Sequence, residues 1–207
     1  MQIILRNLKP TYMSEPEVAG SDLYLQPEVR FEQGRKYLIR AKSGHGKTSL
    51  LNFIYGTSNA YDGQCCLDPT PDPARLRTHL LSYMFQDLCL FPQLTALENV
   101  MLKNRLTDYK SASQIEAMLD ALLPADKKHQ PVATLSLGQR QRVAAVRALC
   151  QPMCFLLMDE PFSHIDSQNA HLLASLILSE VQAQGAGLIV TALDPTDYFP
   201  FDTQYNL

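Results

Sequence analysis

The apolar residues of this chain form short runs, several of which are followed by segments with helical spacing. Five runs are β-prone, and they cover residues 2–8, 36–40, 80–85, 153–158 and 187–191. Three segments have the spacing of helices, at residues 49–55, 139–150 and 167–184. Strands that alternate with helices favour a mostly parallel sheet with right-handed crossovers, so the pattern predicts an α/β fold.

Two regions depart from this alternation. Residues 22–32 alternate apolar and polar positions in places, which predicts two short antiparallel strands that turn at Pro27 and Glu28. Residues 57–75 are polar and rich in proline and aspartate, which predicts a loop with one short strand around residues 64–67.

The middle of the chain has a helical pattern from Thr95 to Leu123. Ser113 is placed to cap a helix at its N-terminus, and Pro124 ends the pattern. Residues 124–134 then have the charges and prolines of a linker.

Composition narrows the class of protein. The chain has 207 residues, 46% hydrophobic and 19% charged, which suffices for one sizeable core or a core with a subdomain. A net charge of −3 and a pI of about 5.9 argue against nucleic-acid binding. No apolar run approaches a membrane span, and residues 1–6 lack signal-peptide features. The five cysteines have no zinc-like spacing and predict reduced, buried thiols in a cytosolic protein.

Candidate chemistry begins between Ala41 and Thr48, where AKSGHGKT joins a β-prone run to a helical segment. Strand, glycine-containing loop, Gly-Lys-Thr and helix form the arrangement of a P-loop. Such a loop points the backbone N–H groups of a helix start into one concavity, where they bind phosphate. Lys47 can then reach the β- and γ-phosphates, and the Thr48 hydroxyl can hold Mg²⁺.

The predicted nucleotide site in this stretch comprises Ser43, Gly44, His45, Gly46, Lys47, Thr48 and Ser49. Ala41 occupies a motif position where glycine is usual, which is tolerable if its φ is negative and costly if its φ is positive. An ordinary strand-to-helix turn with an exposed lysine is the alternative interpretation.

A second candidate is the acidic pair Asp159-Glu160, which follows the apolar run 153–158. This run delivers the pair to the carboxyl edge of the predicted sheet, where ligands of open α/β sheets collect. Asp159 can hold the water shell of the same Mg²⁺, and Glu160 can orient or deprotonate a water. The alternative is a pair of acids that end a strand at the surface.

A third candidate is the stretch LSLGQRQR at residues 135–142, which opens an amphipathic helix. Ser136 and the N–H groups near Gly138 form another anion site at a helix start. One phosphate tail does not need two such sites from one chain. Two chains arranged head to tail would place each second site over the other chain's ATP, whereas a plain N-cap is the alternative.

The order of these segments resembles that of ATP-binding cassette (ABC) ATPases over essentially the whole chain. The P-loop, Gln86, residues 135–139, Asp159-Glu160-Pro161 and residues 163–166 follow one another as they do in that family. Phe85-Gln86-Asp87, with LTALENV at residues 94–100, resembles the subgroup that serves macrolide efflux, lipoprotein release and cell division.

The resemblance implies a single domain over residues 1–207 with a P-loop NTPase core and a mostly parallel sheet. Residues 1–86 and 151–207 are expected to form this core, together with an N-terminal antiparallel β subdomain. Residues from about 87 to 150 are expected to form an inserted α-helical subdomain that carries the signature motif.

The resemblance also implies the roles of individual residues. Glu160, Lys47 and Gln86 are expected to be catalytic, and Thr48, Gln86 and Asp159 to hold Mg²⁺. The signature residues Ser136, Gly138 and Gln139 are expected to close on the γ-phosphate bound by the opposite subunit.

Two further residues have expected roles in that scheme. Asp166 belongs to the loop that crosses the dimer interface. Tyr12 is the candidate for the aromatic ring that stacks on adenine, and a core or loop tyrosine is the alternative. It lies 35 residues before Lys47, which is farther than is usual in the family.

Three departures from the family pattern matter, the first being Ala41. Leu137 replaces the first glycine of the usual signature. The family's switch histidine is absent from the run Val190-Thr191-Ala192-Leu193, so hydrolysis is expected to be slow or arranged differently. His45 and His164 are predicted to have no catalytic role.

The sequence thus favours an ATPase subunit that binds Mg-ATP and forms a head-to-tail dimer with a second copy. Separate integral membrane permease subunits are the expected partners, which places the protein in the cytoplasm at the inner face of the membrane. The alternatives are a non-transport ABC ATPase that regulates a membrane or cell-wall machine, a P-loop kinase and an ATP sensor that hydrolyses poorly. Relatives in DNA repair are disfavoured because the chain has no room for their coiled coil.

Overall fold

The structure is a computed structural model that describes residues 1–42, 44–194 and 197–207. Five parallel strands form its larger sheet, in the order β5-β6-β7-β3-β8. These strands are β3 (Lys36–Arg40), β5 (Leu81–Met84), β6 (Phe155–Asp159), β7 (Gly187–Ala192) and β8 (Thr203–Asn206). Three antiparallel strands form a second sheet, in the order β2-β1-β4, from β1 (Gln2–Pro10), β2 (Val29–Glu32) and β4 (Tyr61–Asp68).

The helices connect the strands and cover the parallel sheet. They are α1 (Glu15–Val18), α2 (Lys47–Tyr55), α3 (Pro73–Arg75), α4 (Ala96–Asn104), α5 (Ala112–Leu122), α6 (Leu137–Leu149) and α7 (Ser167–Ala183). A π-helical turn spans Leu76–Leu80, and a 3₁₀ turn spans Val132–Thr134. None of the helices in the described ranges combines the length and the apolar character needed to cross a membrane.

Alternate residues of the central strands enter two separate hydrophobic clusters, because successive side chains of a strand point to opposite faces. Leu156 and Met158 pack with helices α4 to α7, whereas Phe155 and Leu157 pack with α2 and the antiparallel sheet. All five residues of β6 are buried. Continuous apolar strands are typical of parallel sheets that are covered on both faces, as the sequence pattern predicts.

The prediction for residues 22–32 is half wrong. Only Val29–Glu32 form a strand, and this strand pairs with β1 rather than with a neighbouring hairpin arm. Leu25 has a φ of +58°, which takes the preceding segment out of the extended conformation. The predicted strand at residues 64–67 is longer than expected, because β4 pairs with β1 over Tyr61–Asp68.

The predicted helical stretch from Thr95 to Leu123 is two helices, α4 and α5. Ser111, not Ser113, caps α5, since its hydroxyl accepts from Gln114 N while the Gln114 side chain accepts from Ser111 N. The break between the helices is closed by Asn104, whose side chain bonds both backbone groups of Lys110.

The cysteines are free thiols, as the sequence predicts, but their burial differs from one to another. Cys150 is buried, and its burial raises the pKa of the thiol to about 12. The prediction of buried thiols is wrong for Cys89, which is exposed.

Candidate nucleotide-binding site

The predicted phosphate loop joins β3 to α2 at the carboxyl edge of the parallel sheet. Gly44 and Gly46 have φ values of +83° and +86°, in the left-handed region where glycine carries no steric penalty. Ala41 is not among the described residues with positive φ, so the alanine at this motif position costs no backbone strain. Its N–H donates to Ala192 O at 3.3 Å. Ser43 lies outside the described residues.

Lys47 is drawn into the loop. Its side chain is only 5% exposed, and its ammonium donates to Ala41 O at 2.7 Å and to Lys42 O at 3.2 Å. The Glu160 carboxylate lies 3.2 Å away. The loop carbonyls and this carboxylate therefore hold the ammonium at the first turn of α2, which is where a bound phosphate tail meets a P-loop.

Three oxygen-bearing side chains meet beside the start of α2. The Thr48 hydroxyl lies 2.6 Å from Asp159 Oδ2 and 3.1 Å from Gln86 Oε1. Hydroxyl, carboxylate and amide oxygens are the ligand types that Mg²⁺ prefers, so these residues fit that cation. The three predicted metal ligands thus come together, although they stand far apart in the chain.

Asp159 ends β6 and is almost fully buried, with 1% of its surface exposed. The Thr191 hydroxyl, on the neighbouring strand β7, donates to its Oδ1 at 2.5 Å. Burial raises the pKa of Asp159, and the hydrogen bonds from Thr191 and Thr48 act in the opposite direction. A cation beside this carboxylate would favour its charged form.

Glu160 follows in a left-handed conformation, with a φ of +48°. Its N–H donates to Thr191 O at 3.2 Å and lies 3.2 Å from the Thr191 hydroxyl. Left-handed backbone is uncommon for residues other than glycine and clusters at functional sites. Here it accompanies a side chain whose carboxylate faces the Lys47 ammonium at the phosphate loop.

The residues of this region line one polar cavity of about 170 Å³. Its lining combines predicted nucleotide, catalytic and metal-binding residues: Tyr12, Gly44, Gly46, Lys47, Thr48, Ser49, Gln86 and Glu160. Tyr12 is 60% exposed and its hydroxyl contacts Ser49 Oγ, so it is a surface tyrosine at the loop rather than a core residue. His45 lies in the same loop, and its N–H approaches Lys42 O at 3.4 Å.

The signature residues are placed elsewhere, at the start of α6. Ser136 is the N-cap, and it forms a capping box with Gln139 at 3.2 and 2.9 Å. Neither residue belongs to the described lining of the phosphate-loop cavity. This separation agrees with a role toward a second copy. The alternative interpretation is that Ser136 and Gln139 only cap the start of α6.

Gly138 makes a close approach that no other residue allows. A Cβ atom at this position would lie 2.5 Å from His164 O, which belongs to the loop between β6 and α7. Gln141 joins the same elements, since it donates to Ser163 Oγ at 2.9 Å and accepts from His164 N at 3.2 Å. Asp166 then caps α7 by accepting from Asn169 N.

Sequence reasoning missed two residues that hold the site together. Thr191 bonds Asp159 and contacts the backbone of Glu160, and Gln141 ties the signature helix to the loop after Glu160. The sequence signal for Thr191 is its position as the polar residue at the end of the apolar run 187–191. Nothing local marks Gln141, whose partners stand about 20 residues away in the chain.

Comparisons with known proteins agree with this geometry. A family model described as "ABC transporter" matches residues 25–163, more than half of the chain. The chain is 32% identical over 215 residues to the "Lipoprotein-releasing system ATP-binding protein LolD" of Hydrogenovibrio crunogenus, covering 97% of this chain and 91% of that protein. It is 30% identical to the "Macrolide export ATP-binding/permease protein MacB" of Syntrophobacter fumaroxidans, covering 94% of this chain and 28% of that protein.

Solved structures give the same result. The dimeric structure of MJ0796, a bacterial ABC transporter cassette, is similar with a TM-score of 0.75 and 28% identity, covering 93% of this chain and 88% of that one. A post-hydrolysis dimer of MJ0796 bound to ADP and Pi is similar with a TM-score of 0.74 and 26% identity over the same shares. The predicted fold and the predicted resemblance, including its subgroup, are thereby confirmed. The chain belongs to the ABC transporter family, as an ATP-binding ATPase subunit.

Proposed function

We propose that this subunit binds Mg-ATP with the residues of the phosphate-loop cavity and energises separate membrane subunits of a lipoprotein-release or efflux type. The convergence of Lys47, Thr48, Gln86, Asp159 and Glu160 at one edge of the sheet carries the proposal. Relatives named for lipoprotein release and macrolide export support the choice of transport class.

The chemistry of the site follows from the placement of its charges. Lys47 and the N–H groups at the start of α2 bind the phosphate tail, and Thr48, Gln86 and Asp159 hold Mg²⁺, which neutralises phosphate charge. Glu160 is placed to orient a water or accept its proton. Tyr12 is exposed beside Ser49, so its ring is available to stack on the adenine base.

The signature residues are proposed to act on a second copy. Ser136, Gly138 and Gln139 lie at a helix start outside the cavity of their own chain, where backbone N–H groups favour an anion. A head-to-tail dimer would bring them to the γ-phosphate of the partner, and the dimeric MJ0796 structures support dimerisation. Nucleotide contacts from both copies would then bias the equilibrium between open and closed dimers.

Hydrolysis is proposed to be slow because no histidine follows β7. A cavity of about 280 Å³ opens at that point, and its lining includes Glu160, Ser163, Ala192 and Leu193. Ala192 presents only a methyl group there, so the γ-phosphate lacks a contact that an imidazole at this position could make. His164 lies next to Ser163, to which its Nδ1 is hydrogen bonded at 2.9 Å.

Ala192→His is therefore expected to raise the rate of ATP turnover about tenfold, since one added hydrogen bond to a charged group contributes about 1.5 kcal/mol. Phosphate release by the purified protein at saturating Mg-ATP measures this effect. Leu193→His is the matched control, because it places the same ring one residue later along the cavity wall. Equal rates for Ala192→His and the wild type would contradict the explanation for slow hydrolysis.

The membrane partner is proposed to dock in a lateral groove of about 310 Å³, defined by its lining residues Tyr55, Tyr83, Phe85, Phe91, Asn99, Leu102, Lys103, Leu106, Arg147 and Ala148. Leu106, Phe91 and Leu102 are 62%, 51% and 41% exposed, so three apolar side chains of this groove face solvent. The lining of the groove includes Phe85, which immediately precedes Gln86 in the chain. An occupant of the groove would therefore lie close to the nucleotide site. Lys103 and Arg147 add positive charge, which suits an amphipathic segment with acidic residues.

Leu106→Asp is expected to weaken association with the membrane subunit at least tenfold, because it puts a charge at the apolar rim and removes about 1.5–3 kcal/mol of burial. Co-purification in detergent with a candidate membrane subunit that binds the wild-type protein measures the loss. Leu172→Asp is the control, since Leu172 is 49% exposed on α7, outside the groove. Equal recovery of the complex with both variants would contradict docking in this groove.

These interactions would place the protein in the cytoplasm, held at the inner face of the membrane by its partners. We keep the proposed subdomain division, and the lining of the groove includes residues of α2 and β5 as well as residues of the helical segment that begins near residue 87. A non-transport ATPase that regulates a membrane machine would also use this groove, and it would show ATP turnover without transport by the reconstituted complex.

A further inference from the structure

A buried tyrosine lies directly beneath the phosphate loop. Tyr24 is 1% exposed, and its hydroxyl donates to Gly46 O at 2.9 Å. It stands 22 residues before that glycine, in the segment between α1 and β2. Tyr24 does not belong to the described lining of the phosphate-loop cavity, and its hydroxyl reaches the loop at Gly46.

The carbonyl that Tyr24 binds is that of Gly46, at the start of α2. Gly46 precedes the first residue of α2, and its oxygen also accepts the helical bond from Leu50 N at 2.9 Å. A carbonyl oxygen has two lone pairs, so the tyrosine and the helix together saturate it. Because the peptide unit is planar and trans, fixing this oxygen also fixes the Lys47 N–H, which points the opposite way. The opposite direction is the concavity that receives phosphate.

Steric contact reinforces the hydrogen bond. A Cβ atom on Gly46 would lie 2.9 Å from the Tyr24 hydroxyl and 3.5 Å from Met13 Sδ. Glycine at this position therefore allows the tyrosine to press against the loop backbone. Gly46 also has a φ of +86° and a ψ of 12°, a conformation that a larger residue rarely adopts.

The tyrosine is itself held firmly in place. Ser21 Oγ accepts from Tyr24 N at 2.8 Å and from Leu23 N at 3.0 Å. Leu25, the next residue, has a φ of +58° and donates its N–H to Leu8 O on β1 at 2.9 Å. Left-handed backbone is strained for a leucine, and it persists only where neighbouring contacts impose it. Burial also raises the pKa of Tyr24, so the hydroxyl keeps its proton and remains a donor at neutral pH.

We propose that Tyr24 is a positioning residue for phosphate binding: its hydroxyl orients the Gly46–Lys47 peptide so that the Lys47 N–H faces the phosphate tail. The proposal rests on nucleotide binding at this loop. It adds a residue outside the P-loop motif, and it predicts an effect on the phosphate part of a ligand rather than on the adenine part.

Tyr24→Phe removes the hydroxyl and keeps the ring, and it is expected to weaken binding about three- to tenfold, the range that corresponds to one lost hydrogen bond. Isothermal titration with Mg-ATP and with Mg-tripolyphosphate measures the effect. Both ligands should lose affinity by the same factor, because the lost contact concerns phosphate alone. A residue with a merely structural role would not produce this pattern.

Tyr37→Phe is the matched control. Tyr37 is also buried, at 2% exposed, but its hydroxyl accepts from Glu32 N at 2.8 Å, at the opposite end of β3 from the loop. This variant should lose comparable thermal stability and bind both ligands as the wild type does. If Tyr24→Phe binds tripolyphosphate as tightly as Tyr37→Phe, the proposal is overturned. If the wild type binds neither ligand, the assignment of the nucleotide site fails instead.

Ser21→Ala tests the same inference should Tyr24→Phe fail to fold. It removes the acceptor of the Tyr24 N–H without altering the tyrosine or the loop. We expect about twofold to fivefold weaker tripolyphosphate binding than for Tyr37→Phe, since the hydroxyl is displaced rather than deleted. Equal affinity of these two variants would also overturn the proposal.

Discussion

Lys47→Ala is expected to raise the dissociation constant for Mg-ATP about 100-fold, because charge-assisted contacts to phosphate contribute roughly 1.5–3 kcal/mol. The ammonium is nearly buried and sits at the first turn of α2, so its removal deletes a positive charge at the point where phosphate binds a P-loop. The substitution also leaves the Glu160 carboxylate without its cation, which adds repulsion toward the phosphate tail. Isothermal titration of the purified variant measures the loss.

Lys42→Ala is the control for this experiment. Lys42 is exposed in the same loop, so the variant removes one positive charge without removing a buried phosphate contact. Its affinity should change only slightly, and less at higher salt, because exposed charges are screened. Unchanged binding by Lys47→Ala would refute the assignment of the loop, and a circular dichroism melt would show whether that variant is folded.

Glu160→Gln is expected to lower the rate of ATP hydrolysis by about 10²–10⁴-fold, the contribution typical of a general base. Nucleotide binding should persist, because the amide is isosteric and the backbone of Glu160 remains held by Thr191 and Gln141. Without hydrolysis, the ATP-bound dimer should accumulate. Phosphate release and size-exclusion chromatography with saturating Mg-ATP measure the two effects.

Glu15→Gln serves as the matched control, because Glu15 is exposed in α1 and lies outside the cavity lining. This variant should hydrolyse ATP at the wild-type rate and show no excess of dimer. A Glu160→Gln variant that stays monomeric with saturating Mg-ATP would contradict the head-to-tail dimer, and one that retains full turnover would contradict the role of Glu160.

The phosphate loop and the acidic pair could be predicted because their signals are local. Lys47 and Thr48 follow a glycine at fixed spacing, and Asp159 ends an unbroken apolar run, so short-range geometry places each of them. The contact between Thr48 and Asp159 needed one further rule, that parallel strands bring their carboxyl ends to a common edge. The structure obeys that rule.

Tyr24 and Gln141 could not be predicted in the same way. Each acts through a contact 19 to 23 residues distant in the chain, and the direction of a tyrosine hydroxyl or an amide depends on packing that no local pattern encodes. The cap of α5 shows a different limit. Ser111 and Ser113 both precede a glutamine or glutamate by three residues, so two overlapping capping boxes compete, and tertiary context selects Ser111.

The last strand, β8, was not predicted, since Thr203–Asn206 is short and mostly polar. Its pairing with β3 has a consequence for how copies of this chain can associate. β8 lies beside β3, the strand that precedes the phosphate loop. β8 and β5 are the two edge strands of this sheet, and each has four residues. Such short edge strands are poor templates for strand addition, which protects the protein against edge-to-edge polymerisation of its sheets. In the proposed dimer, association is therefore left to the loops at the carboxyl edge of the sheet, where nucleotide rather than backbone pairing would join the copies.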